Sequence, residues 1–192
     1  MKIIKLSGLR DIERTKVDIL PDSALQKNGK PFFIPDFSEE FAFKAVIAAH
    51  VCRLGKNIAK KFASRYYNEV GLCLAFEAVD LLSDLREKKY PWALATAFDS
   101  SVIVGDFYPV DGLNLDNAEI SVEIGGQECS GFSVEAVGDL IDTAIEFTSQ
   151  YFTLKIGDYI LLDCGGMPVK ACINNHVTAN LFGKKSIDIR IK

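Results

Sequence analysis

The segment that most constrains the fold is residues 41–52, a strongly apolar run that only Lys44 and His50 interrupt. Continuous apolar runs of about this length are typical of buried β-strands. Residues 70–76 form a second apolar run and predict a second buried strand. The chain is therefore expected to build its core around a β-sheet.

Further strands and a few helices complete the predicted pattern. Five strands are expected where apolar residues run or alternate between turn signals, at 1–6, 101–108, 118–124, 158–162 and 187–191. Three helices are expected at 57–68, 80–89 and 134–148, the last with Ser133 as its N-cap. Residues 7–30 are expected to be irregular, since glycine and proline interrupt them. Because the strands occur in runs and do not alternate strictly with helices, the predicted fold class is α+β with a large mixed sheet.

Length and charge limit the organisation and the partners. A chain of 192 residues favours one domain, spanning 1–192. The net charge of −4 argues against a nucleic-acid or anionic-membrane partner. No apolar run approaches the roughly 20 residues that span a bilayer, and residues 1–6 lack the pattern of a signal peptide. A cytoplasmic location is therefore expected.

The inventory of reactive side chains narrows the possible chemistry. The 5 cysteines are odd in number and include no C-x-x-C pair, which favours neither a disulfide framework nor a thiolate zinc site. The only 2 histidines are His50 and His176, and both are interpreted as core or surface residues. Acid–base chemistry is therefore left mainly to carboxylates, lysines, tyrosines and cysteines.

A series of short motifs carries a resemblance to a known family. In chain order they are PFFIPDF at 31–37, RLGKNI at 53–58, PW at 91–92, AFD at 97–99, GDF at 105–107, GQ at 126–127 and TLKIGD at 153–158. With this order and spacing, the chain resembles the fumarylacetoacetate hydrolase family, particularly its short single-domain bacterial members, over residues 20–163. The resemblance implies a mixed β-sandwich roll with a few short helices, usually assembled as a homodimer.

The resemblance also implies a metal site. Family members bind Mg²⁺ or Mn²⁺ and cleave, decarboxylate, hydrate or tautomerise small β-diketo or 2-oxo acids through a metal-bound enolate. Such a hard cation needs oxygen ligands, which the family supplies as a Glu-x-Glu pair on one strand and an Asp on the next. By resemblance these positions fall on Lys44, Val46 and Ala75. All three carboxylates are therefore absent, and one position carries a cation instead.

Other catalytic elements of the family are missing as well. The N-terminal lid, which carries a His–Glu dyad in the family, corresponds to the region 7–30, which is shortened and contains no histidine. The family's lysine aligns with Thr96, and its T-G-T-P turn aligns with residues 162–165, where Cys164 replaces a threonine. The retained motifs concern packing and turns, whereas the lost ones concern chemistry.

These departures favour a degenerate family member, a pseudoenzyme that keeps the fold without the metal site. No cofactor is then expected, and the residual cleft of Lys44, Glu77, Thr96 and Cys164 is predicted to bind a small carboxylate anion. The other expected role is assembly, as a homodimer or with a related enzyme. Glu77 lies two residues beyond Ala75, so it is the expected partner of Lys44, because a buried ammonium without a partner is costly. Cys164 is expected to be a buried, inert thiol.

Three alternatives remain open from the sequence. An alignment shifted by one or two residues would leave Lys44 exposed at a strand edge. A Mg²⁺ or Mn²⁺ site rebuilt from relocated carboxylates would preserve a hydrolase, decarboxylase or tautomerase, the candidates being Glu39, Glu40, Glu77 and Asp80. A metal-free enzyme would use Lys44 as an electrostatic or Schiff-base group on a 2-oxo acid.

Overall fold

The computed structural model describes residues 1–192, except for the side chain of Ile12. Its strands are β1 (Ile3–Ser7), β2 (Lys16–Leu20), β3 (Leu25–Lys27), β4 (Phe41–Val51), β5 (Tyr67–Ala78), β6 (Val102–Pro109), β7 (Asn117–Ile124), β8 (Gln127–Glu135), β9 (Tyr159–Asp163), β10 (Val169–Lys170), β11 (His176–Leu181) and β12 (Lys184–Arg190). Its α-helices are α1 (Lys60–Ala63), α2 (Val79–Glu87), α3 (Ala93–Thr96) and α4 (Val137–Tyr151). Short 3₁₀ turns occupy Ile12–Arg14 and Asp22–Ala24.

The strands form two sheets. The larger has the order β2-β1-β9-β4-β5-β6-β3, with β10 added beside β4. It is mixed, because β1 is parallel to β9 and β3 is parallel to β6, while the other neighbours are antiparallel. The smaller sheet is antiparallel, in the order β12-β11-β7-β8. This architecture confirms the predicted α+β class and its large mixed sheet.

Strand β4 shows how the sequence positions the two faces of the large sheet. Its alternate residues Phe43, Ala45 and Ile47 enter the main core, where they join side chains of the smaller sheet and α4. Val46 and Ala48, between them, belong to a second buried cluster on the opposite face. Because side chains alternate along a strand, Lys44 shares that opposite face, hereafter the outer face. Burial on both faces explains why residues 41–52 form an almost continuous apolar run.

Three local predictions were wrong, each because pairing distant in sequence outweighed a local signal. The helix expected at 57–68 is reduced to the single turn α1, since Tyr67 already pairs with Val51 as part of β5. Ser133 does not cap a helix, because it lies within β8 opposite Glu119. Helix α4 begins after Ala136, which has a left-handed backbone conformation (φ 52°). Residues 7–30 are also more ordered than expected, since they contain β2 and β3 at the two edges of the large sheet.

No helix in the described part of the chain is long and apolar enough to cross a membrane.

Candidate functional site

A cleft of about 480 Å³ opens on the outer face of the large sheet. Its floor is built by strands β1, β9, β4 and β5, and helices α2 and α3 close one side. The side chains along it come from Lys5, Ser7, Lys16, Asp18, Lys44, Glu77, Arg86, Trp92, Thr96 and Asp163. Glu77 and Thr96 therefore line the same cleft as Lys44, as predicted.

The three positions at which the family resemblance implies metal ligands lie together on this face. Lys44 is directly opposite Ala75 in the pairing of β4 with β5, and Val46 is one alternate residue further along β4. Ala75 and Val46 are buried and apolar. The floor therefore combines one ammonium with two apolar side chains where the family resemblance implies three carboxylates.

Lys44 forms an ion pair with Asp163, which corrects the expected pairing with Glu77. Its Nζ atom lies 3.0 Å from Oδ2 of Asp163, and the side chains are 27% and 10% exposed. Strand β9 lies on the opposite side of β4 from β5, so its last residue, Asp163, approaches Lys44 from that side. The backbone N–H of Gly165 donates to the other carboxylate oxygen of Asp163 at 3.1 Å. Since β4 lies inside the sheet, the alternative of a strand-edge lysine is wrong.

Glu77 instead forms an ion pair with Lys5, a residue that the sequence analysis missed. Lys5 Nζ lies 2.8 Å from Oε1 of Glu77, and the Lys5 side chain is only 6% exposed. The available signal was the same as for Lys44: Lys5 is a lone cation within an apolar strand. An ammonium buried to this extent requires a partner, because burying an unpaired charge is costly.

The mouth of the cleft carries two further cations, Lys16 and Arg86, both exposed. Neither has a carboxylate oxygen within 4.0 Å among the side chains that the structure describes. Trp92 forms part of the wall and donates from Nε1 to Oδ1 of Asp18 at 2.8 Å. Four cationic and three carboxylate side chains thus line the cleft, which leaves one positive charge in excess.

The side chains of the cleft do not fit a divalent cation. Its carboxylates Glu77 and Asp163 are held by lysines, and Asp18 by the indole of Trp92. Among the side chains that the structure describes, no group of three or more His, Cys, Asp or Glu is placed to hold a metal ion. All three carboxylates of the cleft are thus engaged by other groups, whereas Mg²⁺ or Mn²⁺ requires a convergent set of oxygen ligands.

The acidic residues considered for a rebuilt site have other contacts. Asp80 lies at the start of α2, where it accepts hydrogen bonds from the Ser38 hydroxyl and from the backbone N–H of Glu39. The Ser38 hydrogen bond is the main cause that lowers the pKa of Asp80. Glu40 forms an exposed ion pair with Lys170, 3.5 Å away. Asp80 thus binds the segment before β4 and Glu40 pairs at the surface, and neither residue lines the cleft of Lys44.

Cys164 was expected in the cleft but lines a different cavity, on the core side of β1 and β9. This cavity of about 210 Å³ is bounded by Leu6, Gly8, Leu9, Arg10, Leu140, Leu162, Asp163, Cys164 and Gly165. The change of side follows from strand alternation, since Cys164 follows Asp163, whose side chain turns to Lys44. Burial raises the pKa of the Cys164 thiol to about 11, which agrees with the expected unreactive cysteine.

Both histidines contact acidic residues outside the cleft. His50 Nδ1 lies 3.3 Å from Oε2 of Glu69 on β5. His176 Nε2 lies 2.7 Å from Oδ1 of Asp188 on β12.

Comparisons with known proteins agree with this architecture. The family model described as fumarylacetoacetate (FAA) hydrolase C-terminal matches residues 10–168. In sequence, the chain is 25% identical to the mouse oxaloacetate tautomerase FAHD1, mitochondrial, with 90% of this chain and 78% of that protein covered. It is 27% identical to the oxaloacetate tautomerase fahd-1, mitochondrial, of Caenorhabditis elegans. This match covers 69% of this chain and 63% of the nematode protein.

Solved structures show the same fold. The fumarylpyruvate hydrolase of Pseudomonas aeruginosa, crystallised with Mn²⁺ and pyruvate, superposes with a TM-score of 0.85 at 18% identity. The superposition covers 100% of this chain and 89% of that one. A fumarylacetoacetate hydrolase family protein of Yersinia pestis gives the same TM-score at 23% identity, with 100% and 92% covered.

Proposed function

Because the chain belongs to the fumarylacetoacetate hydrolase family, we propose that its cleft binds a small carboxylate anion of the 2-oxo acid class. The observation that carries the proposal is the excess of positive charge at a concave site. Lys16 and Arg86 face the mouth without carboxylate partners among the described side chains, while the floor holds two lysine–carboxylate pairs. An anion that enters meets cations that are not yet neutralised.

The groups at the mouth suit a carboxylate. A guanidinium donates two parallel hydrogen bonds to a carboxylate, whereas an ammonium attracts it as a point charge. The Ser7 hydroxyl also lines the cleft and is available to donate to a keto oxygen, whereas the Thr96 hydroxyl donates to the backbone carbonyl of Trp92 at 3.4 Å. A concave wall with the Trp92 indole reduces the solvent around the bound anion, which strengthens these interactions.

The named activities of the relatives support the ligand class. The mouse and nematode proteins are named oxaloacetate tautomerases, and the Pseudomonas aeruginosa enzyme was crystallised with pyruvate. Oxaloacetate and pyruvate are both 2-oxo acids. We propose that this chain keeps the recognition of such anions, while Lys44, Val46 and Ala75 remove the carboxylates on which the family's metal chemistry depends.

A second candidate function is tautomerisation of a 2-oxo acid, which the names of the relatives favour. The reaction moves one proton from the carbon beside the keto group to a base and delivers one proton to the keto oxygen. An ammonium such as that of Lys44 would stabilise the intermediate enolate, and the Asp163 or Glu77 carboxylate would accept the proton. In this alternative the chain is an enzyme without the family's histidine dyad.

Calorimetric titration with oxalate and with oxaloacetate tests binding. We expect heat of binding for the wild-type protein and at least a tenfold loss of affinity in Lys16→Ala/Arg86→Ala, because one bidentate and one point-charge contact are removed. Lys155→Ala removes an exposed charge elsewhere and serves as the matched control. An isotherm that is flat for the wild-type protein would overturn the proposal.

Enol-to-keto conversion of oxaloacetate, followed by ultraviolet absorbance, separates the two candidates. Binding without a rate above the uncatalysed one supports the pseudoenzyme. A catalysed rate that falls in Lys44→Met establishes the tautomerase. Homodimer formation and association with a related enzyme stay predictions from the family resemblance, and light scattering of the purified chain, alone and mixed with a related enzyme, measures both.

A further inference from the structure

We infer that Lys5 and Lys44, each held by a carboxylate, are the resident cations of the cleft and take the place of a divalent ion. This inference goes beyond the proposed function, because it concerns the cation of the site and not the identity of its ligand. It rests on the geometry of two ion pairs and on the disagreement between the donor set and a metal site.

The two lysines approach the floor from different strands. Lys44 lies on β4 and turns to Asp163 at the end of β9, with 3.0 Å between Nζ and Oδ2. Lys5 lies on β1, yet its partner Glu77 lies on β5, and strands β9 and β4 separate these two in the sheet. The Lys5–Glu77 pair therefore bridges across the strands that carry Asp163 and Lys44.

The burial of Lys5 makes this arrangement a permanent part of the site. With 6% of its side chain exposed, the ammonium has little contact with bulk water, and the ion pair with Glu77 offsets the cost of this burial. A divalent cation that entered the same floor would be repelled by two fixed ammonium groups at short range. It would also find Glu77 and Asp163 already neutralised. The floor thus holds two ammonium groups in neutral ion pairs and disfavours a metal ion, while the unpaired positive charge lies at the mouth, on Lys16 and Arg86.

Two expectations follow for the wild-type protein. Oxalate should bind equally well in excess EDTA and in millimolar Mg²⁺. Mn²⁺ should show no stoichiometric binding when the signal of free Mn²⁺ is followed by electron paramagnetic resonance.

Substitution of the lysine provides the complementary test. Lys44→Glu places a carboxylate beside Asp163 at one of the family's ligand positions, and we expect Mn²⁺ to bind this variant at least about tenfold more tightly than the wild type. Lys155→Glu makes the same charge change on an exposed site away from the cleft and should leave Mn²⁺ affinity unchanged. If Mn²⁺ affinity rises in both variants, the change in net charge alone explains the increase, and the inference is overturned.

The measurements on the wild type decide the inference even when a variant fails to fold. Stoichiometric Mn²⁺ binding by the wild type, or loss of oxalate binding in EDTA, would overturn it. If oxalate binds under none of these conditions, only the proposed function is overturned. The Mn²⁺ titration still tests the resident cations, because it needs no organic ligand.

Discussion

The ammonium of Lys44 and the carboxylate of Asp163 meet at 3.0 Å across the boundary between β4 and β9, at a position where the family resemblance implies a metal ligand. Asp163 is fixed by two contacts, since the backbone N–H of Gly165 also donates to it. The pair is partly buried, with side chains 27% and 10% exposed, so it is screened less than a surface ion pair. Its strength is therefore measurable by substitution.

We expect Asp163→Ala to lower the free energy of unfolding by about 2 kcal/mol, because it leaves a partly buried ammonium without its partner. Lys44→Met should cost less, about 1 kcal/mol, since Asp163 keeps the Gly165 hydrogen bond. Urea denaturation of both variants and of the double variant gives the coupling energy. Strict additivity of the two single effects would contradict a direct interaction between these side chains.

The Lys5–Glu77 pair should respond asymmetrically to the loss of each partner. Glu77→Ala leaves the nearly buried Lys5 ammonium without its partner and is expected to lower the free energy of unfolding by about 3 kcal/mol. Lys5→Met replaces the ammonium by an apolar chain of similar length, and Glu77, at 25% exposure, is left within reach of water, so the cost should stay within about 1 kcal/mol. Thermal unfolding compared at one pH measures both. Equal costs would show that the burial of Lys5 does not govern the pair.

The contrast between these two lysines shows what the sequence could predict. Local alternation places Lys44 and Val46 on one face, because residues two apart on a strand share a side, while Ala75, on the next strand, was assigned to the same site by the family resemblance alone. The partners were beyond this reasoning, since they depend on the order β1-β9-β4-β5, in which strands distant in the chain become neighbours. Glu77 was correctly placed in the cleft but assigned to the wrong lysine for this reason.

The secondary-structure predictions were likewise correct where the signal is local and wrong where pairing between distant strands decides the structure. Residues 41–52 and 70–76 were identified correctly because burial on both faces leaves a continuous apolar signal in the sequence. Residues 57–68 carry a helical spacing, yet most of their length is not helical, and Tyr67 enters β5. The helical spacing of Ile58, Phe62 and Tyr66 is a local signal, whereas the pairing of β5 with β4 is set by the tertiary fold.

Asp142 on α4 should make stability depend on pH. Burial, its main influence, raises the pKa of this carboxyl above its ordinary value of 3.8, and the hydrogen bond with the Tyr67 hydroxyl lowers it in part. Its Oδ1 atom has no hydrogen-bond partner among the described residues. Because the folded state binds this proton more tightly than the unfolded state, stability from this group is present below pH 3.8 and is lost as pH rises through the folded-state pKa.

Asp142→Asn should therefore raise the melting temperature at pH 7, because burial disfavours the ionised form of the wild-type carboxyl in the folded state. The advantage should shrink on acidification and vanish below pH 3.8, where the wild-type carboxyl is protonated in both states. Glu87→Gln, at an exposed site on α2, controls for the change of net charge. An Asp142→Asn advantage that is constant from pH 3 to pH 7 would refute the role assigned to burial.

Trp92 offers a direct optical report on the cleft, because it is the only tryptophan of the chain and lies on the cleft wall. Its side chain is partly exposed and donates to Asp18, so an anion beside Arg86 and Lys16 would change both the solvent and the field around the indole. We expect oxalate to change the intrinsic fluorescence in a saturable way, with the same affinity as calorimetry. The change should be lost in Lys16→Ala/Arg86→Ala and kept in Lys155→Ala. Binding detected by calorimetry without any fluorescence change would contradict the placement of the anion beside Trp92.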